Sequence, residues 1–331
     1  MTQSQSAQEA AASCAPLGRR ARLRLRSLDA GLVITLLAMG AFFSLRSPYF
    51  LSVDNLLNIG RAVAVRGVVA AGLTLVMISG GLDLSVASVM AASGMLAAAI
   101  VTVGFPIALA ILASLVLGIL LGAINGLLIT KVRINPIVAT LATLSGIRGL
   151  GYVVSSGKSI VIPLELFSFL GRGRLAGVPA PLVWWALVCV LMYIILRFTQ
   201  LGHYAYAIGG SADACRVSGI RVNAWRMLFY VISATLAAFA GLVLTSLAGT
   251  AMPTAATGAE LDILTAIILG GISLSGGEGG IAGTVLGLLI LGTMTNGMTL
   301  IDVKPFWQVA LRGLVLVIAV TVDSLRTGGY R

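Results

Sequence analysis

The sequence predicts an all-α, polytopic membrane protein of about ten transmembrane helices. Three observations carry that expectation. Of 331 residues, 58% are hydrophobic and only 10% are charged, against roughly 25% charged in ordinary soluble domains. The apolar residues fall in blocks, and several reach the roughly 20 residues needed to cross the hydrocarbon of a bilayer. The chain also holds 40 glycines. They suit helices packed in lipid, where close backbone approach replaces the gain from burying apolar side chains.

Residues 1–28 read as a polar, Ala-rich tail, disordered and cytoplasmic, with Arg19, Arg20, Arg22, Arg24 and Arg26 near its end. No small-residue cleavage site follows, so the apolar run from Gly31 reads as an uncleaved first span. A transmembrane domain then covers 29–323, and 324–331 form a cytoplasmic C-terminal tail. Its spans fall at about 29–48, 60–80, 84–104, 106–130, 136–156, 179–197, 227–249, 262–275, 280–298 and 305–323. The eighth is too short to cross alone. The fifth is rich in Thr, Ser and Gly and suits a protein-facing position.

An even count of spans puts both termini on one side, and the arginine-rich tail makes that side the cytoplasm. The loops agree. Lys131, Arg133, Arg197, Arg216, Arg221, Arg226, Arg326 and Arg331 join the five tail arginines on that side, giving 13 basic residues. Arg46, Arg61, Lys158, Arg172, Arg174 and Lys304 make six on the other side. This topology accounts for the net charge of +11 without nucleic acid.

A weak internal repeat spans about 60–156 and 227–323. Ala71-Gly72-Leu73 matches Ala240-Gly241-Leu242 at an offset of 169, and Asn125-Gly126 matches Asn296-Gly297 at 171. Pro136 matches Pro305 at 169, and Arg148-Gly149-Leu150 matches Arg312-Gly313-Leu314 at 164. An offset of five spans makes the repeat inverted, the arrangement that lets two halves exchange roles around one pathway.

Two stretches break the pattern, "GGLDLSVAS" over Gly80–Ser88 and "GGISLSGGEGG" over Gly270–Gly280. Paired glycines end helices cheaply, and Asp83 or Ser85 can cap the helix that follows. The breaks read either as tight capped turns or as discontinuous helices beside a polar pathway, where non-helical backbone is tolerated. Arg148 and Arg312 are costly within spans and need protein, water or a carboxylate. Glu260 and Asp262 can cap the short eighth span, pair with an arginine or line the outer mouth, and capping is the first reading. Candidate pathway residues are Asp83, Ser85, Asn125, Arg148, Asn296 and Arg312.

No His, Cys or carboxylate cluster suggests a metal site or covalent chemistry. The three cysteines, Cys14, Cys189 and Cys215, lie far apart and suggest no disulfide framework. The single histidine, His203, reads as a solvated loop residue. "GYVVSSGKS" (Gly151–Ser159) contains Gly-Lys-Ser, but five residues separate its glycines where a phosphate-binding loop has four.

The longest polar interruption contains "YAIGGSADACRVSGIRV", Tyr206–Val222. Ser211 suits a helix N-cap, Asp213 the first turn, Arg216 the last, and Gly219 a left-handed stop. A helix of about seven residues is marginal in water. It must dock, either on the membrane body or on a partner.

This stretch resembles the cytoplasmic loop of permease subunits from ATP-binding-cassette importers of the ribose, xylose and galactose class. "GGLDLSVASVMAASGMLAA", "NPIVATLATLSGIRGLGYVVSSGKSI", "GAELDILTAIILGGISLSGGEGG" and "PFWQVALRGLVLVIAV" are similar to the same family, in order, over about 30–323. Ser211, Cys215 and Ala87 stand where the family usually has Asn, Ala and Gly. The resemblance implies a transport subunit, not an enzyme, with no cofactor of its own and ATP used by a separate ATPase. It implies an extracytoplasmic sugar-binding protein and a second permease copy, identical or related, in the bacterial inner membrane. It assigns Gly209, Gly210, Ser211, Asp213, Ala214, Arg216, Ser218 and Gly219 to ATPase coupling. Rival readings are a permease for branched-chain amino acids or nucleosides, and an ion-coupled carrier.

Overall fold

A computed structural model of the chain describes residues 19–162 and 167–327, with side chains over 30–162 and 167–325. Cys14 and the first part of the expected N-terminal tail lie outside these residues. Among them are thirteen helices and two minimal two-stranded sheets. The chain is a multi-pass membrane protein.

The helices are α1 (Arg19–Arg46), α2 (Val53–Ile78), α3 (Val86–Thr102), α4 (Ile107–Thr130) and α5 (Pro136–Ser155). The short α6 (Phe169–Arg172) precedes α7 (Ala180–Phe198), α8 (Gln200–Gly210) and α9 (Ala212–Val217). Then come α10 (Val222–Ala248), α11 (Ala259–Leu269), α12 (Ile281–Leu300) and α13 (Pro305–Thr327). Seven of these, α2, α4, α5, α7, α10, α12 and α13, are long and apolar enough to cross a membrane. Ala30–Arg46 and α3 are shorter apolar helices.

Three boundaries differ from the sequence reading. α1 begins at Arg19, inside the expected tail, because Arg, Leu and Ala are all good helix formers. α13 continues to Thr327, into the expected C-terminal tail. The eighth segment is helical only over Ala259–Leu269, 11 residues, and not to 275. Gly270 and Gly271, the latter at φ 85°, end it.

The interior is built by α2, which is buried along 83% of its apolar window, against 11% for α13. The exposed apolar faces of α4, α5, α7 and α13 suit lipid or a protein neighbour. α10 packs along α4, α3 and α2. Gly118, Gly122 and Gly126 of α4 form the seam: a Cβ at Gly118 would lie 2.7 Å from the Ala238 Cβ, and one at Gly122 2.7 Å from the Tyr230 carbonyl oxygen. Hydroxyls supply some of the polar contacts between helices. Thr74 of α2 meets Thr284 of α12 at 2.8 Å, and Ser93 of α3 donates to the Ala238 carbonyl at 2.9 Å.

The helix order supports the repeat. The starts of α2, α3, α4 and α5 recur in α10, α11, α12 and α13 after 169, 173, 174 and 169 residues (Val53 to Val222, Val86 to Ala259, Ile107 to Ile281, Pro136 to Pro305). The contacts also obey the exchange of halves. α10 packs on α3 and α4, while α2 packs on α11 and α12. Likewise α3 packs on α4 and α5, as α11 does on α12 and α13. Each half thus lends its first helix to the other half.

Candidate functional site

A cavity of about 800 Å³ opens between the first half of α2, the end of α10, the 254–258 loop, α11 and α13. Its polar centre is one carboxylate between two guanidiniums. Asp262 Oδ2 accepts from Arg312 Nη1 at 2.6 Å and lies 3.7 Å from Arg66 Nη2. The side chains of Arg66, Asp262 and Arg312 are 38%, 17% and 25% exposed, so the group is reachable yet largely desolvated. Coulomb attraction is stronger there than at an open surface. Asp262 therefore pairs with arginines, one of the roles the sequence left open, and does not cap α11, the role it put first. The capping position is Gly258, which has no side chain to offer.

The two repeat-related arginines converge here. Arg312 lines the cavity, and Arg148 Nη1 donates to Thr257 Oγ1 at 2.8 Å on its wall. The other sequence candidates lie elsewhere. Asp83 accepts from the backbone N–H of Ser85 at 3.0 Å and from its hydroxyl at 2.6 Å. Asn125 donates to the Ser85 hydroxyl at 2.8 Å. This trio is fully buried and absent from the cavity lining. Asp83, not the Ser85 side chain, makes the hydrogen bond before α3. Asn296 exchanges two hydrogen bonds with Asn55, at 2.9 and 3.0 Å, joining α12 to α2. Sequence reasoning passed over Arg61 and Arg66 as pathway residues and ranked lining the outer mouth or pairing with an arginine behind capping for Asp262. Arg66 was visible as a charge within a span, but nothing local announced its partner on α11.

At the other ends of α2 and α11, three glycine pairs meet. The Gly277 N–H donates to the Ile78 carbonyl at 2.8 Å, tying the second break to the end of α2. Gly80, Gly276 and Gly277 have φ of 76°, 85° and 80°, open to glycine at no steric cost. A Cβ on Gly276 would lie 2.7 Å from the Gly80 nitrogen. A Cβ on Gly209, in α8, would collide with the Ile78 carbonyl oxygen and the Gly277 nitrogen. Both broken stretches and the polar interruption are thus packed backbone to backbone. Tyr206 reinforces the joint by donating to the Gly279 carbonyl at 2.8 Å. Burial pushes its pKa up, with Arg197 pulling weakly the other way, so it remains a donor.

Next to this junction, α9 has the capping geometry expected from sequence. Ser211 Oγ accepts from the Ala214 N–H at 3.2 Å, and Gly219 has φ 82°. Arg216 donates to Asp213 one turn earlier, and Ser218 Oγ donates to the Ala214 carbonyl at 2.9 Å. Cys215 is buried toward the body, while the Asp213 side chain is 90% exposed and Val217 is 92% exposed. The helix docks through one face and leaves the other free.

The family described as the permease component of the branched-chain amino acid transport system matches residues 55–320. The chain belongs to this family. The permease is 41% identical to the ribose import permease of Bacillus subtilis over 286 residues, 86% of this chain and 89% of that one. It is 38% identical to the ribose import permease of Haemophilus influenzae over 295 residues, 88% and 91% of the two chains. Against the L-arabinose transport permease of Escherichia coli the identity is 37% over 285 residues, 86% and 87% of the two chains. No solved structure matches the permease.

Proposed function

We propose that the chain is the transmembrane subunit of an ATP-binding-cassette importer for a monosaccharide or related polyol. The observation that carries this reading is similarity to ribose and arabinose permeases along nearly the whole chain. Two copies, or this permease and a relative, pair to enclose the pathway. An ATPase subunit docks on the exposed face of α9, and both termini face the cytoplasm of a bacterial inner membrane. An extracytoplasmic binding protein delivers the sugar to the cavity at the opposite end. The permease itself holds no nucleotide and catalyses no covalent step.

The geometry supports a route for coupling. α2 carries Arg61 and Arg66 into the cavity and ends at the junction, about 18 Å further along its axis. α11 carries Asp262 and Thr265 into the cavity and ends at the second break. Movement of α9 reaches Gly209, and from there the ends of both helices. Alternating access follows when the two halves exchange their packing.

The test is ATP-dependent uptake in proteoliposomes holding the permease, its ATPase and its binding protein. Radiolabelled ribose and arabinose are compared with leucine and a nucleoside. The Arg216→Glu variant, changed only on the exposed face, should lose ATPase co-purification and uptake while remaining folded. Uptake without an ATPase would sink this reading in favour of an ion-coupled carrier. Uptake of leucine alone would move it to amino acids, as the family description suggests.

A further inference from the structure

The charge of the cavity does not balance. Arg61, Arg66 and Arg312 line it against Asp262 alone, a surplus of two positive charges. Adding the neighbours Arg148 and Glu260 leaves that surplus unchanged. Only Arg312 holds Asp262 by a hydrogen bond. Arg66 sits 3.7 Å from the same oxygen, and Arg61 donates only to the neutral Asn58, at 3.0 Å. The donors of both α2 arginines are therefore largely unspent among the described residues. The α11 N-terminus, with Gly258 and Ala259 on the cavity wall, adds the positive end of its helix dipole. Like charges within a membrane protein are costly unless something of opposite sign meets them. Guanidiniums pair best with carboxylate and phosphate. Thr254, Thr257 and Thr265 line the same wall; the Thr257 and Thr265 hydroxyls donate to the Thr254 and Leu261 carbonyls, which leaves their oxygens as acceptors.

We infer that the cavity takes a monosaccharide derivative bearing an anionic group, a carboxylate or a phosphate, with Arg66 as the residue that selects the charge. This rests on the importer reading and narrows it. The anion completes the site by bridging Arg66 and Arg61, while Asp262 keeps Arg312 engaged.

The test uses the complete transporter in proteoliposomes, with radiolabelled D-ribose, D-ribonate and D-ribose 5-phosphate at fixed ionic strength. The same compounds are titrated against the permease alone in nanodiscs, following its thermal unfolding, because the binding protein also selects. One anionic compound should exceed D-ribose about tenfold in uptake, the effect of one charge-assisted hydrogen bond. Ribonate as the winner identifies a carboxylate, and the 5-phosphate identifies a phosphate. Arg66→Gln should remove the preference, and Arg66→Lys should retain it in part. Only the preferred anion should raise the unfolding temperature of the isolated permease. Uptake of D-ribose alone, unchanged in Arg66→Gln, would overturn the inference and leave the importer reading standing. Equal stabilisation by sodium chloride or inorganic phosphate would overturn it too. Failure to carry any of the three or their relatives, with ATPase and binding protein present, would remove both.

Discussion

The two ends of α2 solve opposite problems. Near Arg61 and Arg66 the helix faces an open, charged cavity of about 800 Å³. Near Ile78 and Gly80 it is clamped, with no room for even a methyl group on Gly276 or Gly209. The open end is lined by charge, so it should tolerate changes of shape and respond to changes of charge. The closed end is governed by backbone packing, so it tolerates neither. On the coupling route proposed above, a stiff helix joining such ends would pass motion from the tight one to the loose one. Four predictions probe that contrast.

The largest effect belongs to the junction. Gly209→Ala places a Cβ against two backbone atoms that cannot swing aside, costing about 1–3 kcal/mol by overpacking. Transport should fall about 5- to 150-fold, the equivalent of that strain carried into the coupled state. Gly146→Ala, in α5 and away from the junction, meets nothing within 4 Å and should stay within about 0.5 kcal/mol of the parent, as surface changes do. Equal behaviour of the two variants would break the comparison.

The next effect belongs to the cavity. Asp262→Asn leaves Arg66 and Arg312 without their shared carboxylate. Removing one partner of a fully buried pair costs about 3–5 kcal/mol, and partial exposure here lowers this to about 1–3 kcal/mol. Denaturant unfolding of the purified permease measures it. The double variant Asp262→Asn with Arg312→Met should recover part of the loss; no recovery would mean that the ion pair is not the source.

A smaller effect is expected midway along α2. Thr74→Val removes one hydroxyl from the buried Thr74–Thr284 contact, for about 1 kcal/mol. Adding Thr284→Val should cost little more if that contact is the reason. The smallest global effect is at α9. Ser211→Ala removes the cap on the Ala214 N–H, worth about 1 kcal/mol locally. Amide exchange at Ala214 should quicken while global unfolding stays unchanged, and a large drop in overall stability would show that α9 is part of the core.

The sequence carried the class and most helix positions because long apolar blocks and glycine punctuation are local signals. It also carried the α9 cap, whose residues lie within nine positions of one another from Ser211 to Gly219. Both breaks were legible, but not their meeting. Nothing in "GGLDLS" or "SGGEGG" says that Gly80 touches Gly276, because the contact depends on α2 crossing into the other half. The same crossing hid the cavity. Arg66 and Asp262 come from different halves, and only the exchanged helices bring them together. Asp83 reads as a pathway residue from the break it sits in; its Oδ1 accepts from the Ser85 hydroxyl, which accepts from Asn125, a chain of contacts between residues 40 positions apart that no local pattern announces.

The central claim is that α9 and the cavity communicate through the glycine junction. The most direct measurement is the rate at which a charged thiol reagent modifies a cysteine at Thr254→Cys on the cavity wall. The permease would lack Cys14, Cys189 and Cys215 and carry its ATPase, with and without ATP. ATP should change the rate in the parent and in Gly146→Ala, and leave it unchanged in Gly209→Ala. The same ATP response in both glycine variants would contradict the account.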